Sequence, residues 1–266
     1  MNRYFITLSY DGNNYHGWQI QPNGVSVQEV LNEALSRILR ITITTSGAGR
    51  TDTGVSAHMM VAHFDFADSI DSRRIVFKLN SLLPPDIAVQ DIALVSPDAH
   101  ARFDATYRAY RYRLTNRKNP FLRHDTWCFD FELDYEKMNE AARMLLNYTD
   151  FSSFSKGRRS VKTTTCILTE ARWVQEASNL WVFHIKSDRF LRNMVRAVVG
   201  TLLEVGQGRM SMEEFQGVVE SKNRRNAGVS VPGHALSLVE IGYPYSISSG
   251  QNPLTGANVP CAKSVK

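Results

Sequence analysis

The first third of the chain alternates between strand-like and helix-like patterns of hydrophobic positions. Alternation along residues 4–10 predicts a β-strand, and the capping-box sequence Ser26-Val27-Gln28-Glu29 predicts the start of a helix. The apolar face of that helix consists of Val27, Val30, Leu31, Ala34, Leu35, Ile38 and Leu39. Further strands are predicted over residues 41–45, 58–66 and 87–95. A second helix is predicted from Asp71 to the pair Pro84 and Pro85, with apolar Ile75, Val76, Leu79 and Leu82.

The rest of the chain repeats this β-α-β-β-α-β order. Strands are predicted over residues 107–114, 163–174, 180–186 and 236–243, the middle two forming a hairpin. One helix begins at Asp134 and carries apolar Met138, Ala141, Ala142, Leu145 and Leu146. A strongly apolar helix is predicted over residues 190–205, ending at Gly206, and a capping box from Ser211 to Glu214 begins an extra helix.

The repeated order predicts an α/β protein of the α+β type, built from two ferredoxin-like β-α-β-β-α-β halves. We place the halves at residues 1–105 and 106–246, followed by a tail at 247–266 that is rich in Ser, Gly, Asn and Pro and is predicted to be an arm or disordered. Two such halves side by side would form a long sheet with a central cleft, and RNA-reading modules commonly use sheets of this topology.

Bulk composition is that of an ordinary globular protein, with 43% hydrophobic and 21% charged residues in 266. No apolar run approaches the roughly 20 residues that a membrane-spanning helix needs, and the N-terminus reads as a strand rather than a signal peptide. Three widely spaced cysteines, Cys128, Cys166 and Cys261, indicate neither a disulfide framework nor a zinc site. We therefore predict a cytoplasmic, metal-free protein with no membrane partner.

Positive charge is unevenly distributed along the chain. Residues 101–125 contain seven basic and two acidic side chains, a net +5 that equals the excess of the whole protein. Three further basic groups are Lys156, Arg158, Arg159 and Lys162; Arg189, Arg192 and Arg196; and Lys222, Arg224 and Arg225. Any one group could be a solvated face, but four groups interleaved with aromatic residues favour RNA as a partner.

The stretch SGAGRTDTGVSA, residues 46–57, sets a single carboxylate, Asp52, among glycines, hydroxyls and Arg50. It is not a dinucleotide fingerprint, because Asp52 occupies the place of the third glycine, and it is not a P-loop, because Val55 follows Gly54 where a lysine is required. An aspartic protease needs a second Asp-Thr-Gly or Asp-Ser-Gly, and the chain has none. A plain glycine-rich turn remains an alternative.

The strand over residues 107–114 places Arg108, Tyr110, Tyr112 and Leu114 on one face. Tyr110 and Tyr112 could stack on unpaired bases or could be ordinary core aromatics. In a basic RNA cleft, Asp52 could act as a nucleophile kept ionised by a guanidinium. Arg50 and Arg196 are the candidate partners, and Arg196 needs an acid or a solvated exit because its helix is otherwise apolar.

Several segments that together span nearly the whole chain resemble the TruA-type tRNA pseudouridine synthases. GRTDTGVSA, residues 49–57, resembles the family's catalytic motif, and HARFDATYRAYRY, residues 100–112, its tyrosine motif. YDGNNYHGWQIQ, SVQEVLNEAL, DFSSF and FLRNMVRAVVGTLLEVGQG are similar to its opening motif, the segment after it, a further block and the long helix of the second half.

The resemblance implies the pseudouridine synthase core and an enzyme that detaches uracil from ribose, rotates it and rejoins it through carbon. It makes Asp52 the nucleophile and Tyr110 the residue that stacks on the target uracil. Arg50 would lie beside the flipped nucleotide, Arg196 would pair with Asp52, and Leu236 would line the base pocket, with Ala235 where the family usually has glycine. The family needs no cofactor, modifies uridines at tRNA positions 38, 39 and 40, and works as a homodimer.

Two other classes of function compete with this one. A protease with one aspartate per chain would need a second carboxylate from a partner and gives no role to the basic strand. A non-catalytic RNA-binding protein explains the charge and the aromatics but gives Asp52 no role, and a carboxylate there would repel phosphate. The synthase hypothesis uses all of these features.

Overall fold

The computed structural model describes residues 1–157 and 163–248. The basic residues Arg158, Arg159 and Lys162, the cysteine Cys261 and all but the start of the predicted tail lie outside the described residues. Among the described residues, no helix is both long enough and apolar enough to cross a membrane.

The part of the chain that the structure describes contains nine strands and five α-helices. The strands are β1 (Asn2–Tyr10), β2 (Ser46–Gly47), β3 (Ser56–Phe66), β4 (Ile87–Val95), β5 (Tyr107–Thr115), β6 (Trp127–Cys128), β7 (Leu168–Ala177), β8 (Leu180–Ser187) and β9 (Leu236–Gly242). The helices are α1 (Val27–Leu39), α2 (Ser72–Leu82), α3 (Tyr135–Met144), α4 (Met194–Gly206) and α5 (Met212–Glu220). Both predicted capping boxes are present, at the starts of α1 and α5.

All nine strands belong to one mixed sheet, with the main order β4-β1-β3-β9-β5-β8-β7. The strands β4-β1-β3-β2 pair antiparallel, and β9-β5-β8-β7 pair antiparallel in the same relative order. A short parallel pairing of β3 with β9 joins the two sets, through Ser56 with Ser237 and Ala57 with Leu238. The repeated ferredoxin-like order and the α+β fold class are therefore confirmed.

One row of side chains crosses the whole sheet on a single face. Directly paired residues in a sheet point to the same side, and the pairing connects Ile87, Tyr10, Ala57, Leu238, Tyr110, Ile185 and Ala171 in turn. Six of these side chains are buried, and Tyr110 is partly exposed in the middle of the row. The centre of the sheet thus has an accessible aromatic ring at the join between the two sets of strands.

Two hydrophobic clusters lie on either side of this join. One combines β1, β3 and β4 with α1 and α2, and also includes Leu238 and Ile241 of β9. The other combines β5, β7 and β8 with α3, α4 and α5, and also includes Val55. Burying a single Leu or Phe side chain stabilises a fold by roughly 1.5–3 kcal/mol. The division of the chain between residues 105 and 106 stays a prediction.

One predicted strand is absent, and two predicted elements begin later than expected. Residues 41–45 form no strand, because the N–H groups of Ile43 and Thr45 donate to the α1 side chains of Ser36 and Asn32 at 2.8 and 3.0 Å. The helix predicted from residue 190 begins at Met194, because Asn193 before it has a left-handed φ of 64°. The strand predicted from residue 163 begins at Leu168, and the N–H of Ile167 donates instead to Asp188 Oδ1 at 2.7 Å.

Candidate active site

Asp52 lies in the segment of residues 48–55 between β2 and β3, which we call the Asp52 loop. The loop is held through its backbone: the Thr51 carbonyl accepts the Trp18 N–H at 3.3 Å, and the Asp52 carbonyl accepts the Val55 N–H at 3.1 Å. The hydroxyl groups of Thr51 and Tyr10 also form a hydrogen bond of 2.9 Å. The Asp52 side chain itself is 32% exposed, so its carboxylate is open to a substrate.

Glycines of the segment after β1 allow this loop to sit close to it. A Cβ at Gly17, whose φ is 85°, would overlap the carbonyl oxygen of Thr51, and a Cβ at Gly12 would overlap that of Val55. The Gly12 N–H donates to Ser56 Oγ at 3.0 Å. The glycines in the YDGNNYHGWQ motif therefore allow the segment after β1 to pack closely against the Asp52 loop.

Arg196 reaches Asp52 from α4, on the other side of the join. Its Nη1 is 3.6 Å from Asp52 Oδ2, and its Nε donates to the Val231 carbonyl at 2.7 Å. The Val231 N–H in turn donates to the Arg196 carbonyl at 3.2 Å. The predicted acidic partner of Arg196 is thus present, and the segment between α5 and β9 fixes the guanidinium.

Tyr110 stands beside this ion pair on β5. Its ring meets Phe190 edge-on, with centroids 5.1 Å apart and an interplanar angle of 87°. Burial, and to a smaller extent the charge of Asp52, raises the pKa of Tyr110 to about 12, although Arg108 acts in the opposite direction. The phenol is therefore protonated at neutral pH and can donate a hydrogen bond.

The other candidate residues lie in different surroundings. Tyr112 is fully buried in the cluster with α4, so the core alternative is correct for it and a base cannot stack on it. Leu236 is 5% exposed and pairs with Tyr112, whereas Leu238 pairs with Tyr110. Arg50 is exposed and makes no ion pair within the described part of the chain. Asp52, Arg196 and Tyr110 come together, and Arg50 lies two residues from Asp52.

Comparison with known proteins shows which family the chain belongs to. The chain matches the sequence model described as tRNA pseudouridine synthase over residues 6–104 and 141–244. It belongs to the tRNA pseudouridine synthase family. It is 56% identical to the tRNA pseudouridine synthase A of Bacteroides thetaiotaomicron over 94% of this chain and 93% of that protein. It is 54% identical to that of Bacteroides fragilis and 50% identical to that of Porphyromonas gingivalis, covering 93% and 92% of this chain and 98% of each relative.

In this member of the synthase family, some basic side chains bind groups of the protein itself. Arg113 forms an ion pair with Asp125, Lys222 with Asp150 at 3.2 Å, and Arg224 donates to the carbonyls of residues 227 and 228. The exposed basic residues include Arg50, Arg102, Arg111, Arg117, Lys118, Arg123, Lys156 and Arg192. These side chains, rather than the whole basic stretches, are available to a polyanion.

One residue beside the candidate site is not singled out by the sequence. Arg108 belongs to the basic stretch predicted to attract RNA, but its guanidinium points inward and donates to backbone carbonyls, including that of Ala48 in the Asp52 loop at 2.9 Å. Only its position two residues before Tyr110 on the same strand face hinted at a place in the site. Among the described residues, no group of three or more His, Cys, Asp or Glu side chains could hold a metal ion.

Proposed function

We propose that this protein converts uridine to pseudouridine in tRNA, with Asp52 as the nucleophile. Membership of the tRNA pseudouridine synthase family supports the reaction and the substrate class. The observation that supports the residue assignment is an accessible carboxylate, Asp52, paired with Arg196 and close enough to Tyr110 for its charge to affect that phenol.

The reaction begins with a uridine that has left its stack, which costs a few kcal/mol. Stacking of the uracil on Tyr110 returns roughly 1–3 kcal/mol. The partial exposure of Tyr110 in the middle of the sheet supports this contact.

Asp52 then forms a covalent bond with the sugar or the base, and the bond between N1 of uracil and C1′ of ribose breaks. Attack on the sugar or on the base requires Asp52 in its ionised form, and Arg196 lies beside this carboxylate. The uracil rotates, C5 bonds to C1′, the bond to Asp52 breaks, C5 loses its proton and N1 gains one. No atom is gained or lost overall, and we infer that Tyr110, as the phenolate, takes the C5 proton.

The resemblance also supports the finer parts of the proposal. We infer that the targets are uridines at positions 38, 39 and 40 in the anticodon stem-loop, that Arg50 lies beside the flipped nucleotide, and that Leu236 lines the base pocket. We also infer a homodimer that works in the cytoplasm. Mapping of pseudouridine in tRNA from cells that lack the gene tests the positions, and light scattering of the purified protein tests the dimer.

The decisive experiment replaces Asp52. Asp52→Asn and Asp52→Ala should abolish pseudouridine formation, while tRNA affinity stays equal to that of the wild type or rises because a carboxylate repels phosphate. The matched control is Asp98→Asn, an exposed aspartate outside the site, which should leave turnover unchanged. Substantial turnover by either Asp52 variant would refute the nucleophile assignment, and a wild-type protein that binds tRNA without modifying it would favour the non-catalytic alternative.

A further inference from the structure

Arg108 makes an unusual set of contacts for a residue in a basic stretch. Its Nη1 donates to the carbonyls of Ala105 and Asp188, each at 2.9 Å. Its Nη2 donates to the carbonyls of Ala48 and Arg102, at 2.9 and 2.7 Å. Both terminal nitrogens of the guanidinium are therefore occupied by the protein's own backbone.

These carbonyls belong to segments that surround the candidate site. Ala48 is the first residue of the Asp52 loop, and Arg102 and Ala105 lie in the segment between β4 and β5. Asp188 directly follows β8 and lies two residues before Phe190, whose ring packs against Tyr110. A single planar group thus connects the loop that carries the carboxylate with the elements that carry and support the tyrosine.

The charge of Arg108 is not neutralised by an ion pair with any residue that the structure describes. Burial lowers its pKa, which reflects the cost of placing a guanidinium inside the protein. Four carbonyl dipoles offset this cost, and only a fork of N–H groups can reach acceptors in several directions at once. An arginine held only for tRNA affinity would instead have its nitrogens facing solvent.

We propose that Arg108 is a positioning residue that holds the Asp52 loop in register with Tyr110. Its hydrogen bond to the Ala48 carbonyl fixes the start of the loop. Because Arg108 lies on β5 two residues before Tyr110, the same bond fixes the position of the loop relative to that strand. The positive charge also opposes the rise in the pKa of Tyr110 caused by burial. This inference rests on the proposed function, since it assigns Arg108 to the same site.

The experiment compares Arg108→Met and Arg108→Lys with Arg143→Met as a matched control. Arg143 is an exposed arginine on α3, outside the candidate site and the basic groups, so its variant should keep the wild-type rate and Kd. The single-turnover rate of pseudouridine formation at saturating tRNA and the Kd for tRNA are measured separately, below the unfolding temperature of each variant. A displaced reacting group can cost about 10²-fold in rate, so we expect about that loss for Arg108→Met, a smaller loss for Arg108→Lys, and a Kd within about threefold of wild type for both.

An unchanged rate would overturn the proposal, as would a weakened Kd with a wild-type rate at saturation, which would make Arg108 an RNA contact. Loss of protein stability alone does not change the rate of folded enzyme, so a purely structural role also gives an unchanged rate. If Arg108→Met does not fold, Arg108→Lys decides by the same criteria, because lysine keeps the charge and some donors. Failure of the proposed function would appear separately, as an active Asp52→Asn variant or an inactive wild type.

Discussion

Asp52 Oδ2 and Arg196 Nη1 lie 3.6 Å apart although Asp52 follows β2 and Arg196 lies on α4, so the ion pair spans the join between the two sets of strands. Both side chains are partly exposed, at 32% and 22%, and such pairs contribute only about 0–1 kcal/mol to stability. The pair therefore matters for the position of the carboxylate rather than for the fold.

Arg196→Met should lower the single-turnover rate by about 10- to 100-fold, because the carboxylate loses the group that orients it. Arg196→Lys should lose less, since it keeps the charge but lacks the fork that also binds the Val231 carbonyl. Quench-flow measurement with saturating tRNA checks this, with thermal unfolding of each variant as a control. Equal rates in the wild type and the methionine variant would show that Asp52 does not depend on Arg196.

Tyr110→Phe should keep tRNA affinity within about threefold and lose rate, because the phenylalanine ring can still stack but has no hydroxyl to move a proton. Tyr110→Leu should also weaken binding of the flipped base. With the pKa of Tyr110 near 12, a rate limited by proton transfer from C5 to the phenolate should rise by about tenfold per pH unit up to about pH 11. A fully active Tyr110→Phe variant would limit the role of the residue to stacking.

Gly17→Ala should impair both stability and activity, because the added Cβ would overlap the Thr51 carbonyl and φ is 85°. We expect a loss of roughly 1–3 kcal/mol in the free energy of unfolding and a fall in rate from displacement of Asp52. Gly49→Ala, in the Asp52 loop itself, is the control for stability, since its Cβ would meet no atom within 4 Å. Urea unfolding curves of the two variants should differ; coincident curves would contradict the close approach.

The imidazole of His63 should make stability depend on pH. Burial is the main reason that the pKa of His63 falls to about 4, and its Nδ1 accepts the Ala101 N–H at 3.2 Å. An unfolded histidine takes up its proton near pH 6.5, so between about pH 6.5 and 4 the unfolded state binds more protons than the folded state. The free energy of unfolding should therefore fall as the pH falls through this window, by roughly 3 kcal/mol.

His63→Asn can keep the hydrogen bond from Ala101 without a titrating ring, and should lose less stability between about pH 6.5 and 4 than the wild type. Urea midpoints measured across this range test the prediction. His58→Asn, an exposed position on the same strand, should keep the wild-type dependence. If the His63 variant lost as much stability on acidification as the wild type, other groups would account for the effect.

The repeat of elements could be predicted because most strands and helices carry their own signals. Alternation marks β1 and β5, and the serines at positions 26 and 211 with glutamates three residues later mark α1 and α5. The start of α4 and the lack of a strand at 41–45 could not be predicted, because Asn193, Asn32 and Ser36 set them through backbone conformation and distant hydrogen bonds.

Some residues of the candidate site could likewise be predicted from the sequence, and others could not. The family resemblance and the local motif pointed to Asp52, Tyr110 and Arg196, which the fold brings together. Alternation placed Tyr110 and Tyr112 on one face but did not distinguish them, because their difference in exposure depends on how α4 covers the sheet. Arg108 looked like any other positive charge, since its carbonyl partners are distributed between residues 48 and 188.

The position of β9 in the sheet determines when, during synthesis of the chain, the candidate site can form. Among the described residues β9 is the last strand in chain order, yet it lies between β3 and β5 in the middle of the sheet. Proteins are synthesised from the N-terminus, and early elements can fold first. Until Leu236–Gly242 has left the ribosome, β3 and β5 have no common neighbour, and no shared sheet aligns the Asp52 loop with Tyr110. A nascent or truncated chain that lacks β9 should therefore not modify RNA, because the candidate site is completed only once this strand is available.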